Sequence, residues 1–288
     1  MKLFIAVPVY NRKEYLEITA RSLFECSNIN KAEIVVFNDS SDEFDTQYLH
    51  KIFHAGNVKI ISAAQKIDID VHYYEMMKTF LASDSDVLMI CDSDLLLRSD
   101  TIDYVLNNFS KTDGFLGLYN SDLHRDLYFD GEFVYKEDVG FAGICVSKKV
   151  LQSFIAGQDP KARAIDFKFS DYLLDNNIRI MVAKNCLIQH IGFNGEHCND
   201  TSVEFSSNFV PNSEFNKEVI SKLMPIALKM QSSMIKHLLF CDKYRRHGFF
   251  VHQPHKYLAK ERRVKELMKY YEQKYPITLS KGKENGSF

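Results

Sequence analysis

The 288-residue sequence lacks the features that mark membrane-spanning, secreted and zinc-binding proteins. No uninterrupted apolar run approaches the ~20 residues that cross a bilayer. The opening stretch "MKLFIAVPVYNR" reaches Pro8 and Asn11 before the apolar part of a signal peptide is complete. The six cysteines stand at positions 26, 91, 145, 186, 198 and 241. Because no two of them form a C-x-x-C pair, we expect reduced, mostly buried thiols and no zinc or redox motif. The opening stretch and the lack of a membrane-spanning run predict a cytoplasmic protein.

Glycine is missing where a phosphate-binding loop would need it. The segment "PVYNRKE", which follows the first strand-like run, contains no glycine. A nucleotidyltransferase with a similar sheet would cradle phosphates there with a glycine-rich, basic loop. The sequence therefore argues against that class of enzyme.

Charge is distributed unevenly, although the formal net charge is −2. Residues 214–288 contain 16 Lys and Arg against 7 Asp and Glu, whereas residues 1–213 contain 20 against 31. We therefore predict an acidic domain over residues 1–213 and a basic helical extension over residues 214–288. The acidic larger part and the absence of a recognition motif argue against binding to nucleic acid.

Short apolar runs alternate with amphipathic stretches over the first third of the chain. The strand-like runs are "KLFIAV", which Pro8 is predicted to end, "AEIVVFND", "VKIIS" and "DVLMICD". Apolar residues at helical spacing separate them. This alternation predicts an α/β fold with a mostly parallel sheet and helices on both faces.

Polar residues follow three of these strands: Asn11, Asp39, and the pair Asp92 and Asp94. Ligands bind beyond the carboxyl ends of the strands in such sheets. Burying an unpaired carboxylate costs several kcal/mol, so the acids of "MICDSDLLL" need a cation, a ligand with donors, or water. Carboxylate oxygens suit Mg²⁺ or Mn²⁺. The alternative is that this D-x-D sequence is an ordinary polar turn.

Three segments resemble GT-A fold glycosyltransferases, especially those of family 2. They are "FIAVPVYNR" at 4–12, "EIVVFNDSSDE" at 33–43 and "DVLMICDSDLLL" at 86–97. A looser resemblance extends through "FAGICVSKKVL", "IDFKFSDYLLDNNIRI" and "CLIQHIGFNG", so that it covers about two thirds of the chain. The resemblance implies a GT-A, Rossmann-like sheet and transfer of a sugar from a nucleoside diphosphate sugar, with a uridine nucleotide favoured.

The resemblance also implies the donor-binding residues. Asp39 would accept a hydrogen bond from the base or the ribose, and Asp92 would hold the ribose or a metal-bound water. Ser93, between the two acids of the D-x-D motif, is grouped with the donor site. The predicted first loop around the base consists of Pro8, Tyr10, Asn11 and Arg12.

The metal ligands implied by the resemblance are Asp94, His190 and Asp92, and the metal is Mn²⁺ or Mg²⁺. A divalent ion would act as a Lewis acid on the departing nucleoside diphosphate. Neutral imidazole is a good ligand for Mn²⁺, and Gly192 and Gly195 would let the loop after His190 approach closely. A purely structural histidine is the alternative for His190.

Asp166 is the predicted general base of an inverting reaction, because it occupies the place of the aspartate that heads a helix in family 2. Two departures weaken the match: Ile165 stands where that family has Glu, and Lys168 replaces a third carboxylate. Asp171 is the substitute base, and a helix N-cap is the structural alternative for Asp166. A retaining enzyme would need no such base.

Acceptor contacts are predicted between the D-x-D motif and the later helix. Asp138, Gly143 and Asp171 are the candidates. Aromatic residues alternate nearby in a predicted hairpin closed by Asp130 and Gly131. The predicted acceptor is a glycan or a lipid-linked saccharide.

The basic extension leaves two interpretations open. It is either a helical appendage that mediates a homo-oligomer contact, or a surface that docks on an anionic membrane, where each basic residue contributes ~1 kcal/mol. The second would place the enzyme at the inner membrane surface. A non-catalytic nucleotide or sugar binder with a basic interaction tail is the remaining functional alternative.

Overall fold

A computed structural model of the chain describes residues 1–54, 58–121, 124–159, 163–192, 206 and 208–223. A central sheet contains the strands β1 (Leu3–Val9), β2 (Ala32–Asn38), β3 (Val58–Ser62), β4 (Val87–Ile90), β6 (Phe115–Gly117), β7 (Asp126–Phe129), β8 (Phe133–Lys136), β9 (Ile144–Ser147) and β10 (Ile180–Ala183). Their order is β3-β2-β1-β4-β9-β6-β10-β8-β7. A separate two-stranded sheet pairs β5 (Leu95–Leu97) with β11 (Ile188–His190).

Helices cover both faces of the central sheet. They are α1 (Lys13–Phe24), α2 (Thr46–Ile52), α3 (Ile69–Leu81), α4 (Thr101–Asn108), α5 (Lys148–Ala156) and α6 (Ile165–Asp175). In β1, Ile5 and Val7 belong to the buried cluster that includes residues of α1, α2 and α4. Phe4 and Ala6 belong to the cluster that includes residues of α3, α5 and α6. Because successive strand residues point to opposite faces, both sides of β1 are apolar, as expected for a sheet between two helical layers.

The predicted α/β class and the mostly parallel sheet are confirmed. Strands β3, β2, β1 and β4 are parallel neighbours, in agreement with the alternation of strands and helices along the chain. The predicted hairpin is also present as β7 and β8. Two strands, β8 and β9, run against the others, because β9 pairs antiparallel with both β4 and β6, and β8 pairs antiparallel with β10 and β7.

The prediction that Pro8 ends the first strand is wrong. Pro8 lies within β1 and is paired in register with Phe37 of β2. The neighbour on the other side, β4, pairs with β1 only as far as Ala6, whose carbonyl accepts a hydrogen bond from Cys91. Pro8 faces the same side as Ala6, beyond the end of that pairing, so its missing N–H breaks no hydrogen bond of the sheet.

Pairing of β5 with β11 places the late histidine beside the D-x-D motif. Its register sets His190 opposite Leu95, the residue that follows Asp94. The three leucines of β5 are fully buried in the cluster on the α1 side. Burial of these leucines therefore fixes the chain directly after the two acids, and β11 brings the imidazole to the same point.

The first ten residues of the predicted basic extension are helical and lie on the domain. Val219 and Ile220 are buried in the cluster that contains β5, and the Asn216 side-chain amide donates to the Leu97 carbonyl at 2.9 Å. Residues 224–288 lie outside the described residues, so the separate extension and its membrane or oligomer contact stay predictions. Within the described ranges, no helix is long and apolar enough to cross a bilayer.

Candidate functional site

Asp94 lies at the centre of a charged cluster beyond the end of β4. Its side chain is 7% exposed, and one carboxylate oxygen, Oδ2, lies 2.9 Å from Nη2 of Arg12 and 3.2 Å from Nε2 of His190. Gly192 closes the cluster, since a Cβ atom there would lie 2.1 Å from Asp94 Oδ2 and 2.0 Å from Arg12 Nη2. The absence of a side chain at position 192 is therefore required for the ion pair to form.

Asp92 has a different environment, although it is two residues away. Its Oδ1 accepts a hydrogen bond of 2.8 Å from the hydroxyl of Tyr73, a residue of α3. Ser93, between the two acids, is buried. The alternation of directions along the chain thus sends Asp92 toward α3 and Asp94 toward Arg12 and β11.

The two carboxylates consequently have opposite pKa shifts. Burial, followed by the negative charge of Asp94, raises the pKa of Asp92 to about 6. Burial also acts to raise the pKa of Asp94, but His190 and Arg12 outweigh it and hold that pKa well below its usual range. At neutral pH, Asp94 is firmly ionised, whereas the negative charge of Asp92 is poorly compensated by the protein alone.

The loop after β1 is held in a strained conformation. Asn11 and Arg12 both have positive φ angles, 51° and 61°, which non-glycine residues seldom adopt. The Asn11 side-chain oxygen accepts hydrogen bonds from the Ser41 hydroxyl at 2.8 Å and from the Asp42 amide at 2.9 Å. The loop after β2 therefore fixes the turn that directs Arg12 toward Asp94.

Arg12 is held between several groups but leaves one donor without a partner. Its guanidinium lies 5.3 Å from the centre of the Tyr15 ring. Its Nε is buried and has no hydrogen-bond partner among the described residues. A buried donor without an acceptor is costly, so this N–H is available to an incoming anion.

The predicted base-binding residues line the same edge of the sheet. Asp39 is buried directly after β2, where its Oδ1 accepts a hydrogen bond of 2.8 Å from the Ile67 amide. His72 of α3 approaches that oxygen at 4.0 Å, and burial lowers the pKa of this histidine. The Lys66 ammonium, next to Ile67 in the chain, lies 4.2 Å from the centre of the Tyr10 ring.

Asp166 lies in the first turn of α6 and is partly buried. The structural alternative, a capping role, is present in part, because Asp166 Oδ1 accepts a hydrogen bond of 2.9 Å from the Phe167 amide. The two preceding amides are bound from elsewhere in the chain. Asp70 of α3 accepts hydrogen bonds from the amides of Ala164 at 2.9 Å and Ile165 at 3.1 Å. Burial raises the pKa of Asp166, and the nearby carboxylate of Asp70 adds to the increase.

Of the predicted acceptor residues, Asp138 has a defined polar partner. Its Oδ1 lies 2.7 Å from Nδ1 of His124, and His124 acts to lower the pKa of Asp166. Gly143 has a packing role, because its φ is +64° and a Cβ there would lie 1.9 Å from Ile188 Cδ1. Asp171 is exposed on α6, five positions beyond Asp166.

The donor atoms at this edge fit a divalent cation that arrives with a phosphorylated ligand. Within the described ranges, no three His, Cys, Asp or Glu side chains are gathered as a ready-made metal cage. Asp94 and His190 do converge, and they supply the carboxylate oxygen and the imidazole nitrogen that Mn²⁺ accepts. Mg²⁺ and similar ions commonly use one or two carboxylates and take the remaining ligands from substrate phosphates and water.

Five residues of this region were not predicted from the sequence: Lys66, Asp70, His72, Tyr73 and His124. Asp70 and Tyr73 are three positions apart on α3, which places them on one side of that helix. That spacing was visible in the sequence, but their partners are far away along the chain. Nothing in the local pattern around His124 indicated a pairing with Asp138.

Residues 4–123 match the family model described as "Glycosyl transferase family 2". No curated protein matches the sequence. Residues 1–349 of TarS from S. aureus, in complex with UDP-GlcNAc, align with a TM-score of 0.55 and 16% identity over 95% of this chain and 81% of that one. The mannosyltransferase PcManGT from Pyrobaculum calidifontis, in complex with GDP-Man and Mn²⁺, aligns with a TM-score of 0.52 and 11% identity over 96% and 88% of the two chains.

The opposite environments of the two D-x-D acids predict opposite effects on stability. Asp92→Asn should stabilise the ligand-free protein by about 1–2 kcal/mol above pH 6, because it removes a charge that folding disfavours. Since the folded pKa of Asp92 is about 6 and its ordinary value is 3.8, this gain should fade as the pH falls from 6 to 4. Urea denaturation at pH 7.5 and at pH 4 measures both.

Asp94→Asn is the matched control and should have the opposite sign. It should cost about 1–3 kcal/mol at pH 7.5, because Arg12 would lose its anionic partner. Its deficit should persist at pH 4, since the pKa of Asp94 lies below its usual range. Equal effects of the two substitutions at neutral pH would contradict the assignment of distinct environments.

Proposed function

We propose that this chain, a GT-A fold glycosyltransferase, is a metal-dependent, inverting enzyme. Its residues 4–123 match glycosyl transferase family 2. It transfers a sugar from a nucleoside diphosphate sugar, preferably a uridine diphosphate sugar, to a hydroxyl group of a glycan or lipid-linked saccharide.

The observation that carries this proposal is the convergence of Asp94, Arg12 and His190 at the carboxyl end of the sheet. One carboxylate oxygen has an imidazole nitrogen at 3.2 Å and a guanidinium nitrogen at 2.9 Å, and the guanidinium still has a buried N–H to offer. A pyrophosphate needs cationic and N–H groups, and its counter-ion needs carboxylate or imidazole ligands. The cluster supplies both at one point.

The donor would lie across the ends of β1, β2 and β4. Asp39 and the loop of Tyr10, Asn11 and Arg12 would bind the nucleoside, and Arg12 would donate to the pyrophosphate. Asp94 and His190, with Asp92 as the further carboxylate, would hold the Mn²⁺ or Mg²⁺ ion. When bound, that ion supplies Lewis-acid stabilisation of the charge on the leaving nucleoside diphosphate.

Asp166 is proposed as the general base. Its carboxylate would take the proton of the acceptor hydroxyl while the new C–O bond forms at the anomeric carbon and the sugar–phosphate bond breaks. The raised pKa supports this role, since a base works best when its pKa approaches the working pH. Its N-terminal place on α6 is compatible with catalysis, because Asp70 binds the Ala164 and Ile165 amides and Asp166 uses only Oδ1 for the Phe167 amide.

The acceptor would enter on the side of Asp138 and His124. The hydrogen bond of 2.7 Å between Asp138 Oδ1 and His124 Nδ1 would fix the imidazole tautomer and leave Nε2 facing the acceptor. Contact with a lipid-linked acceptor at a membrane would involve residues 224–288, which lie outside the described residues.

Metal and nucleotide should bind cooperatively, because Asp94 and His190 provide too few ligands for a cation by themselves. We expect Mn²⁺ alone, at concentrations up to about 1 mM, to shift the melting temperature very little. Uridine diphosphate with Mn²⁺ should raise it by several degrees, on the order of 2–4 °C per kcal/mol of binding energy. Thermal-shift measurements with each ligand alone and with both test this. A full shift by the nucleotide in the presence of EDTA would contradict the metal dependence.

Asp166→Asn should abolish sugar transfer while donor binding is retained. We expect kcat to fall on the order of 10²–10⁴-fold, the usual contribution of a positioned general base. Asp171→Asn, on the exposed side of the same helix, is the matched control and should keep near-normal turnover. The measurements are the release of nucleoside diphosphate and calorimetric binding of the donor. Turnover that survives in Asp166→Asn and disappears in Asp171→Asn would transfer the role to Asp171.

A further inference from the structure

Helix α3 contacts each part of the proposed site. Just before the helix, the Ile67 amide donates to Asp39, the residue proposed to bind the nucleoside. One turn into the helix, the Tyr73 hydroxyl donates to Asp92 of the D-x-D motif. Between these two contacts, Asp70 accepts the first amides of α6, the helix that carries Asp166. Residues 67–73 thus touch the donor side and the base side of the site.

We propose that Asp70 is a positioning residue that fixes the first turn of α6 and, with it, the place of the Asp166 carboxylate. The inference rests on the proposed function, in which Asp166 is the base. Asp70 contacts the backbone of α6 and has no proposed contact with the substrate.

The first two amides of α6 depend on this contact, because the only local side-chain bond described at this helix start is that of Asp166, which accepts the Phe167 amide at 2.9 Å. The N-cap position is Ala164, which has no side-chain hydrogen-bonding group and has a φ of 56°, in the left-handed region that alanine disfavours. Asp70 uses both carboxylate oxygens, Oδ2 for the Ala164 amide and Oδ1 for the Ile165 amide. Two hydrogen bonds to consecutive amides fix the orientation of the first turn, and with it the direction of Asp166.

Three side chains from other elements interact electrostatically with the Asp166 carboxylate, so that the pKa of one partner is shifted by the other. From α3 come Asp70, whose charge raises the pKa of Asp166, and the hydroxyl of Tyr73, whose own pKa Asp166 helps to raise. From the loop before β7 comes His124, whose charge acts in the opposite direction to Asp70. Asp70 and His124 therefore shift the pKa of Asp166 in opposite directions, and removal of Asp70 leaves burial as the remaining cause that raises this pKa.

The test compares wild type with Asp70→Asn, Asp70→Glu and the control Asp45→Asn. Asp45 is also an aspartate that caps a helix, since its Oδ1 accepts the Tyr48 amide of α2 at 2.7 Å. Helix α2 packs in the other buried cluster from α6. The first readout is the ¹³C NMR titration of the Asp166 carboxyl carbon. The second is the pH dependence of nucleoside diphosphate release from UDP-N-acetylglucosamine and from GDP-mannose with Mn²⁺.

In Asp70→Asn, we expect the Asp166 carboxyl to titrate at lower pH than in wild type and the acid limb of the kcat profile to move in the same direction. The sign follows because the substitution removes a neighbouring negative charge that favours the protonated form. We also expect kcat on the plateau to fall on the order of 10–100-fold with an unchanged KM for the donor, as for a misplaced catalytic group. Asp45→Asn should change neither the titration nor the profile.

Asp70→Glu retains the charge and moves the carboxylate outward, so it should lower kcat while the acid limb stays near its wild-type position. It decides the question if Asp70→Asn does not fold. An unaltered Asp166 titration in folded Asp70→Asn, or wild-type kcat in both Asp70 variants, would overturn the proposal. A wild-type protein that releases no nucleoside diphosphate from either donor would overturn the proposed function instead, and the carboxyl titration would still decide whether Asp70 controls Asp166.

Discussion

The ion cluster around Asp94 is the interaction on which the rest of the site depends. A carboxylate at the end of a buried strand is tolerated because Arg12 and His190 compensate its charge. Each partner has its own structural support: Arg12 stands in a strained turn that the loop after β2 fixes, and His190 stands opposite Leu95 in the β5–β11 pair. The buried leucines of β5 then hold the motif against the core.

Asp92, unlike Asp94, has a negative charge that its neighbours compensate poorly. Its negative charge is raised in energy by burial and by Asp94, and the Tyr73 hydroxyl offsets part of that cost. The ligand-free protein thus contains one acid that is satisfied and one that would gain from a cation nearby. The proposed metal and donor would compensate the negative charge of Asp92. Loss of this charge should therefore stabilise the ligand-free protein but impair function.

Much of the fold and part of the site could be predicted from the sequence, because they follow from local patterns. The alternation of apolar runs and helices predicts the parallel strands, and residues that follow such strands lie at one edge of the sheet, as Asp39 and Asp94 do. The prediction that Pro8 ends the first strand was wrong, because Pro8 lies beyond the end of the β1–β4 pairing. Its missing N–H therefore interrupts no hydrogen bond of the sheet, and this cannot be read from the local sequence. The contacts of Asp70 with residues 94 and 95 positions away, and of His124 with Asp138, arise from tertiary packing that no local pattern encodes.

The most direct test of the central claim is a crystal structure with uridine diphosphate and Mn²⁺, with the metal located by its anomalous scattering. We predict one Mn²⁺ ion bonded to Asp94 and His190, at about 2.0–2.2 Å from the carboxylate oxygen and the imidazole nitrogen, with the pyrophosphate completing its ligands. Arg12 should then donate to the pyrophosphate. A nucleotide bound elsewhere, or Mn²⁺ absent from this pair while Asp94 keeps both present partners, would contradict the account.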